Sequence, residues 1–303
     1  MEKNRLAISV DIEDWYHIPA VTGSSFSEFS DVEEFYENWD GEYDFLTAPT
    51  HRTLEILEEM NIKATFFIVA EIVNHYPGLV EEIASKGHEV ACHGLNHECV
   101  IDPKTKEPRI KREKFKNQVS KAKRILEEAS EQEVNGYRAP NGYVAGWMLD
   151  ILEEVGFNYD SSVARCSLYN KTDQDLNKIG TGPYIPKKGK LDPGGDRDFV
   201  EIPWPFWEIG PIRLPTAGGP LVRFLGRRII GAGLKQSLKR DDSMFYFHPI
   251  DISRKKFPKI GNMKKRPRYW IFKGEVAEKR IKNLLKTFED YLATCSDVAE
   301  NID

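Results

Sequence analysis

The chain has 303 residues and a formal net charge of −5, with 40% hydrophobic and 30% charged residues. These are ordinary values for a globular protein, so extensive disorder is not expected. The negative charge gives no general attraction to nucleic acid or to an anionic membrane. A short basic run at residues 264–268 contains a proline, and we interpret it as a solvated loop rather than a phosphate-binding face.

The sequence contains no apolar run near 18 residues, so no membrane span is predicted. The N-terminus enters a strand pattern without the apolar segment and cleavage site of a secretory signal. The four cysteines lack both CxxC spacing and a paired framework, which favours free thiols in a reducing compartment. We therefore expect a cytoplasmic protein.

Strands and helices alternate along most of the chain. Strands are predicted at residues 6–12, 63–70, 89–92, 136–139, 158–161, 199–202 and 244–247. Helices are predicted at residues 51–60, with Thr50 as the cap, and at 79–86, 112–130, 144–155 and 275–292. Only two regular elements are expected in 165–241. This alternation is typical of an α/β fold with parallel strands and crossover helices.

Polar side chains recur where predicted strands end. They are Asp11, Glu13, Asp14, His93, His97, Arg138, Asp160 and His248. In α/β barrels and open α/β sheets the functional site forms at the carboxyl ends of the strands. Two imidazoles four positions apart, His93 and His97, can converge on one zinc-type ion, for which a carboxylate would be the third ligand.

Each of these residues also has a simpler interpretation. His248 alone would more often be a core histidine, and Arg138 could bridge two loops. Asp160 precedes two serines and could be a helix N-cap. Agreement among five separate strand ends favours a functional site.

The motifs SVDIEDW, HGLNH, RAPNG, YDSS and FYFHP, taken in this order, resemble those of polysaccharide deacetylases, the NodB-homology group or carbohydrate esterase family four. The subgroup with a DxEDW first motif, linked to bacterial surface and exopolysaccharide synthesis, is the most similar. The resemblance implies a distorted (β/α)7 TIM-like barrel. We interpret residues 1–303 as one such domain with insertions at about 15–49 and 165–241.

The resemblance also implies roles for individual residues. Asp11 matches the general base, Arg138 the arginine that orients this base, and His248 the general acid. Tyr143 and Pro140, in and after the RAPNG motif, are expected at the substrate and oxyanion site. An acidic residue usually tunes the catalytic histidine of this family, but none is recognised in 165–241.

For the metal, the resemblance implies one carboxylate and two histidines holding Zn²⁺, or another ion such as Co²⁺ or Ni²⁺. His93 and His97 are the histidines. Strand alternation puts Glu13 on the face of Asp11, whereas Asp14 has the usual side chain and lies at the turn. We expect Asp14 to be the ligand, with Glu13 as the alternative.

The function that the resemblance implies is hydrolysis of an N-acetyl group on a sugar of a bacterial surface glycan or of its precursor. The expected partner is thus an N-acetylated sugar or glycan, and no nucleic acid. The first alternative is a related amidohydrolase that acts on a small cyclic amide. The second is an inactive carbohydrate-binding homologue.

Overall fold

A computed structural model describes residues 3–17, 29, 32–41, 44–167, 170–258 and 271–302. The basic run at 264–268 lies outside the described residues, as does much of the first predicted insertion, 15–49.

Ten strands and ten α-helices are assigned in the described residues. The strands are β1 (Leu6–Ile12), β2 (Thr65–Ile68), β3 (Glu89–Cys92), β4 (Gly136–Tyr137), β5 (Tyr159–Asp160), β6 (Val200–Glu201), β7 (Phe206–Ile209), β8 (Ile212–Pro215), β9 (Ser243–Phe247) and β10 (Leu292–Ala293). The helices are α1 (Val32–Asn38), α2 (Thr47–Glu59), α3 (Ile72–His75), α4 (Leu79–Ser85), α5 (Arg112–Ser130), α6 (Gly146–Val155), α7 (Gly219–Leu238), α8 (Pro249–Ile252), α9 (Glu275–Thr287) and α10 (Cys295–Ala299).

Seven parallel strands form one curved sheet in the order β9-β1-β2-β3-β4-β5-β6, and β10 pairs with the first residues of β1. All seven residues of β1 are buried, as expected for a central strand covered on both faces. Helices α4, α5 and α6 pack side by side outside the sheet. This architecture confirms the predicted distorted (β/α)7 barrel.

The barrel is not closed by backbone hydrogen bonds. Within the described ranges no strand ladder joins β6 to β9. Side chains meet across this seam instead: the ring of Trp204, just beyond β6, lies 4.8 Å from the ring of Tyr246 on β9. The antiparallel hairpin β7–β8 follows β6 and packs against α7. One wall of the barrel mouth is therefore built from side chains and loops.

Two helices begin or end differently from the prediction. Helix α2 begins at Thr47, without a side-chain hydrogen bond at its N-cap, so Thr50 is not the cap. The predicted helix 275–292 ends at Thr287, and the chain then forms a 3₁₀ turn and the short strand β10. Pairing with β1 therefore overrides the helical pattern at Leu292.

Helix α7 is the largest element that the sequence pattern did not predict. Its sequence contains four glycines, and its backbone leaves helical geometry at Gly226, where φ is 77°. Glycine weakens the helical signal because it is a poor helix former. Residues 165–241 thus hold more regular structure than the two elements expected.

In the part of the chain that the structure describes, no helix is both long enough and apolar enough to cross a membrane.

Candidate active site

The carboxyl ends of the parallel strands surround a small pocket of about 110 Å³. Asp11 and Glu13 come from the end of β1, His93 follows β3, Arg138 follows β4 and His248 follows β9. The convergence of strand ends places residues more than 200 positions apart in one cavity, as predicted from their shared place after strands.

Glu13, His93 and His97 form the cluster that could hold a metal ion. One ligand atom of each lies within 4.8 Å of the others, and all three side chains are buried. Glu13 Oε2 is 2.5 Å from His97 Nε2 and 3.8 Å from His93 Nε2. One carboxylate and two imidazoles are a common donor set for a catalytic zinc-type ion.

The state of His97 supports this assignment. Neither of its buried ring nitrogens has a hydrogen-bond partner of acceptable geometry, although Glu13 lies so close to Nε2. Buried nitrogens without partners are costly, and a bound cation would satisfy Nε2. Burial lowers the pKa of His97 to about 4, so its ring is neutral near pH 7, as a metal ligand must be.

The carboxylate of Glu13 is also in the ligand-competent form. Burial alone would raise its pKa, but the neighbouring imidazoles of His97, His248 and His93 hold this pKa well below the ordinary value. Glu13 is therefore ionised at neutral pH. The residues present fit a divalent transition metal.

The structure brings Glu13, and not the expected Asp14, beside the two histidines, so we propose Glu13 as the carboxylate ligand. Asp14 accepts hydrogen bonds from the Tyr76 hydroxyl and from the backbone N–H of Trp15, and burial raises its pKa to about 7. Glu13 lies two positions after Asp11, so strand alternation directs both side chains into the pocket, whereas Asp14 is absent from its described lining. This arrangement matches the alternative that alternation offered.

The two histidines are held from behind. His93 donates from Nδ1 to the carbonyl of Arg138 at 2.8 Å, which leaves Nε2 free to bind a metal. The ring of His17 lies 5.4 Å from that of His97, and His17 Nε2 is 2.7 Å from Glu71 Oε1. A hydrogen bond thus orients His93, and His97 packs against a histidine that is itself hydrogen-bonded.

Arg138 holds Asp11 in an ion pair. Its Nη1 lies 2.5 Å from Asp11 Oδ1 and also donates to the Ser9 hydroxyl at 2.9 Å. Its other nitrogens donate to the carbonyl and the hydroxyl of Ser161, each at 3.0 Å. Every nitrogen of the guanidinium therefore donates to a buried partner. Because Arg138 contacts only Oδ1 of Asp11, the other oxygen, Oδ2, remains available to a ligand.

His248 lies across the pocket from this ion pair. Its Nε2 is 3.2 Å from Glu13 Oε1 and 3.9 Å from Asp11 Oδ2. Burial would lower its pKa, but the carboxylates of Glu13, Asp251 and Asp11 raise it to about 9. The imidazole is therefore protonated near neutral pH in this metal-free arrangement.

The acidic partner of His248, which was not recognised in residues 165–241, is Asp251. It lies outside that segment, on α8. Its Oδ2 lies 3.1 Å from His248 Nδ1, and its Oδ1 lies 2.8 Å from Arg223 Nε. Burial would raise the pKa of Asp251, but Arg223 and His248 lower it. The sequence His-Pro-Ile-Asp could have identified this partner. Proline favours the first position of a helix, and the third residue of the short helix α8, Asp251, then lies beside the histidine that precedes the helix.

Three residues near these motifs do not reach the pocket. Its described lining includes neither Tyr143 nor Pro140, and the Tyr143 N–H donates to the Pro140 carbonyl at 3.3 Å. Asn141 and Gly142 line it instead. Asp160, also absent from the described lining, is not a helix cap.

Several lining residues were not identified as site residues from the sequence. The largest side chains among them are those of Lys171, Trp204 and Tyr246. Tyr246 lies inside a strand whose alternation could have placed it beside His248. Lys171 lies in a segment without periodicity, so no pattern could have placed it.

Two family models match the chain. Polysaccharide deacetylase matches residues 36–159, and a domain of unknown function, DUF3473, matches residues 176–297. Together they cover the metal cluster's histidines, the arginine loop and the histidine–aspartate helix. The interpretation of residues 1–303 as one domain stays a prediction.

Curated relatives agree with the first model. The chain is 27% identical over 144 residues to a peptidoglycan-N-acetylglucosamine deacetylase of Bacillus cereus, which covers 44% of this chain and 50% of that protein. It is 25% identical over 175 residues to a peptidoglycan deacetylase of Helicobacter pylori, which covers 53% of this chain and 55% of that protein. The chain thus spans about half the length of these relatives.

A solved structure shows the same fold along nearly the whole chain. It is that of a Mycobacterium smegmatis protein described as a polysaccharide deacetylase, with a TM-score of 0.66 and 18% identity, covering 99% of this chain and 91% of that one. The resemblance predicted from the motifs is confirmed.

Proposed function

Because the chain belongs to the polysaccharide deacetylase family, we propose that it is a metal-dependent hydrolase that removes an N-acetyl group from an amino sugar. The observation that carries this proposal is the meeting of Asp11, Glu13, His93, Arg138 and His248 in one pocket, with His97 behind them. Membership of the family indicates the reaction, deacetylation. The pocket contains candidates for the metal ligands, the general base and the general acid that this reaction needs.

Glu13, His93 and His97 would hold the metal, which we propose is Zn²⁺ or a similar ion such as Co²⁺ or Ni²⁺. A zinc-type ion supplies Lewis acidity, which favours both deprotonation of water and charge on a carbonyl oxygen. The two imidazoles are directed by contacts made on the other side of each ring.

Asp11 acts as the general base and accepts the proton of the attacking water on Oδ2. Arg138 keeps this carboxylate oriented through its contact with Oδ1. His248 acts as the general acid and gives the proton of Nε2 to the departing amine. Asp251 holds the imidazole from Nδ1, and Arg223 in turn holds Asp251.

The two alternatives receive less support. An inactive carbohydrate-binding homologue would be expected to lack a base, an acid or a ligand, and all are present here. A metal-free amidohydrolase that acts on a cyclic amide would not need the buried Glu13–His93–His97 cluster.

For the natural substrate we propose an N-acetylated surface glycan or its precursor. Fractionation of the source cells separates these two substrates: protein found in the cytoplasm would favour a lipid-linked or nucleotide-linked precursor, and protein found at the surface would favour finished polymer.

The first prediction concerns Asp11→Asn. The asparagine keeps the size of the side chain but cannot accept the proton, so acetate release from N-acetylated sugars should fall by about 10²–10⁴-fold. Metal content, measured by elemental analysis of the purified protein, should remain near that of the wild type.

His97→Ala is the matched control, because it should lose both metal and activity. A rate for Asp11→Asn within about threefold of the wild type would overturn the assignment of the general base. Absence of metal and of acetate release in the wild type, even after zinc, cobalt or nickel is added, would overturn the proposed function.

A further inference from the structure

Lys171 places a cation in the pocket that none of the proposed catalytic steps uses. It is half-buried and lines the cavity together with Asp11, Arg138 and His248. It comes from residues 165–241, a part of the chain that otherwise contributes only Trp204 and Pro220 to the lining. The contacts of its ammonium group indicate which role it can have.

The ammonium group is held by neutral groups. Its Nζ donates to the carbonyl of Asn141 at 2.7 Å and lies 4.3 Å from the centre of the Trp204 ring. Trp204 is itself fixed, since its indole N–H donates to the Ser161 carbonyl at 2.9 Å. The lysine therefore rests on a rigid support of one carbonyl and one aromatic face.

The chain also leaves space for this side chain. A Cβ placed on Gly142 would lie 3.1 Å from Lys171 Nζ, and the φ of Gly142 is +68°, which disfavours any other residue. A glycine of the RAPNG loop thus allows the lysine to approach closely.

The positive charge of Lys171 has no partner in the described part of the chain. No carboxylate there lies within 4.0 Å of its Nζ. The two carboxylates of the pocket are already engaged, Asp11 with Arg138 and Glu13 with His97. Partial burial lowers the pKa of Lys171 to about 8, so the group is still mostly charged near pH 7.

We propose that Lys171 binds an anionic group, a carboxylate or a phosphate, on the N-acetylated sugar. This inference rests on the proposed deacetylase function and narrows its substrate to acidic or phosphorylated amino sugars. Arg138 and Lys171 match the charge of the two carboxylates in the pocket lining, Asp11 and Glu13, and a bound divalent ion would make the cavity positive. Such a cavity favours a negatively charged ligand.

The test compares three sugars that differ at one carbon: N-acetylglucosamine, its 6-phosphate, and N-acetylglucosaminuronic acid. With the zinc-loaded enzyme, kcat/KM for acetate release should be about tenfold to a hundredfold higher for at least one of the anionic sugars than for the neutral one. The phosphate and carboxylate arms show which anion is preferred.

Lys171→Met should reduce the ratio of kcat/KM for the anionic sugar to kcat/KM for the neutral sugar to about threefold or less, and Lys171→Arg should retain most of this ratio. Lys178→Met is the matched control, since Lys178 lies in the same segment with its side chain 72% exposed. Thermal unfolding of each variant checks that it folds.

Two results would overturn the proposal: equal or better turnover of the neutral sugar by the wild type, or a preference for the anion that survives in Lys171→Met. Calorimetric binding of the same sugars to zinc-loaded Asp11→Asn tests anion recognition apart from catalysis. If the wild type releases acetate from none of the sugars, this binding arm still decides on Lys171, and only the proposed function fails.

Discussion

Two buried pairs of acidic residues lie at the carboxyl ends of the strands, and their surroundings differ in charge. Asp11 and Glu13, at the end of β1, are surrounded by Arg138 and by imidazoles. Asp160 and Glu201, on the neighbouring strands β5 and β6, are completely buried and approach each other. Only the first pair lines the pocket.

The second pair is held mainly by neutral groups. Glu201 Oε1 accepts from the backbone N–H groups of Ser162 and Val163, at 3.2 and 2.9 Å, and Asp160 Oδ1 accepts from the Ser162 hydroxyl at 2.7 Å. Burial, together with the charge of Asp160, raises the pKa of Glu201 well above its ordinary value. Two buried carboxyl groups so close together therefore favour sharing one proton over both being ionised.

The difference shows how one edge of a sheet can hold both reactive and structural acids. Burial raises the pKa of a carboxyl group, whereas nearby cations and hydrogen bonds to the ionised form lower it. The pair at β1 makes close contacts with cationic or imidazole groups, which suits metal binding and proton transfer. In the described part of the chain the pair at β5 and β6 forms no ion pair, and it joins two strands to the loop that carries Ser162.

The strongest test of this difference between the two acidic pairs is the same substitution, Glu to Gln, in each pair. Glu13→Gln removes a charged metal ligand, so metal affinity should fall by more than about a hundredfold, since loss of even an indirect contact to a ligand costs ten- to a hundredfold. Acetate release should fall with it. Glu201→Gln replaces a protonated acid with an amide of the same shape, so both properties should stay within about threefold of the wild type.

Elemental analysis and steady-state kinetics on the two purified variants measure these effects. Loss of metal from Glu201→Gln, or retention of metal by Glu13→Gln, would contradict the assignment of the two pairs.

A third buried acid, Asp251, extends the comparison, because Arg223 and His248 keep it ionised although it lies on α8. Asp251→Asn removes the charge that orients His248, so kcat should fall by about tenfold to a hundredfold, a part of what general acid catalysis supplies. KM and metal content should change by less than about threefold, as expected for a positioning residue. Asp290→Asn, at a site whose side chain is 75% exposed, is the control and should behave as the wild type. An equal fall in metal content would instead indicate a structural role for Asp251.

The smallest expected effect concerns the pH dependence of stability. The folded-state pKa of Glu201 is raised above its unfolded value, so its contribution to stability is complete below the unfolded pKa and is lost as the pH rises toward the folded pKa. Glu201→Gln lacks this loss. The free energy of unfolding of this variant minus that of the wild type should therefore increase with rising pH, by about 1.4 kcal/mol per unit of pKa shift. Urea unfolding at a series of pH values measures the difference, and a difference independent of pH would show that Glu201 is not protonated in the fold.

The sequence predicted the catalytic centre better than its surroundings. Strand β3 and helix α5 have the predicted bounds, and His93, Arg138 and His248 lie together because alternation and strand order determine where strand ends meet. The same alternation rule offered Glu13 as the alternative ligand, and the preference for Asp14 came from its usual side chain and its place at the turn.

The remaining features depend on contacts between segments without periodic patterns. Lys171 reaches the pocket through its contacts with Asn141 and Trp204, which are 30 positions before it and 33 positions after it in the printed sequence. Helix α7 positions Arg223 beside Asp251, and this helix was not predicted because its glycines weaken the helical pattern. Proton sharing between Asp160 and Glu201 follows from their pairing across β5 and β6, which no local pattern reveals.

The seam between β6 and β9 has an evolutionary consequence. Side chains such as Trp204 and Tyr246 form the wall there, and both belong to the pocket lining. Mutations in this wall can reshape the cavity without removing a hydrogen bond from any strand ladder, whereas the metal cluster and the base depend on β1 and β3, deep in the sheet. Descendants of one ancestral enzyme can therefore diverge in the sugars they accept while they inherit the same chemistry.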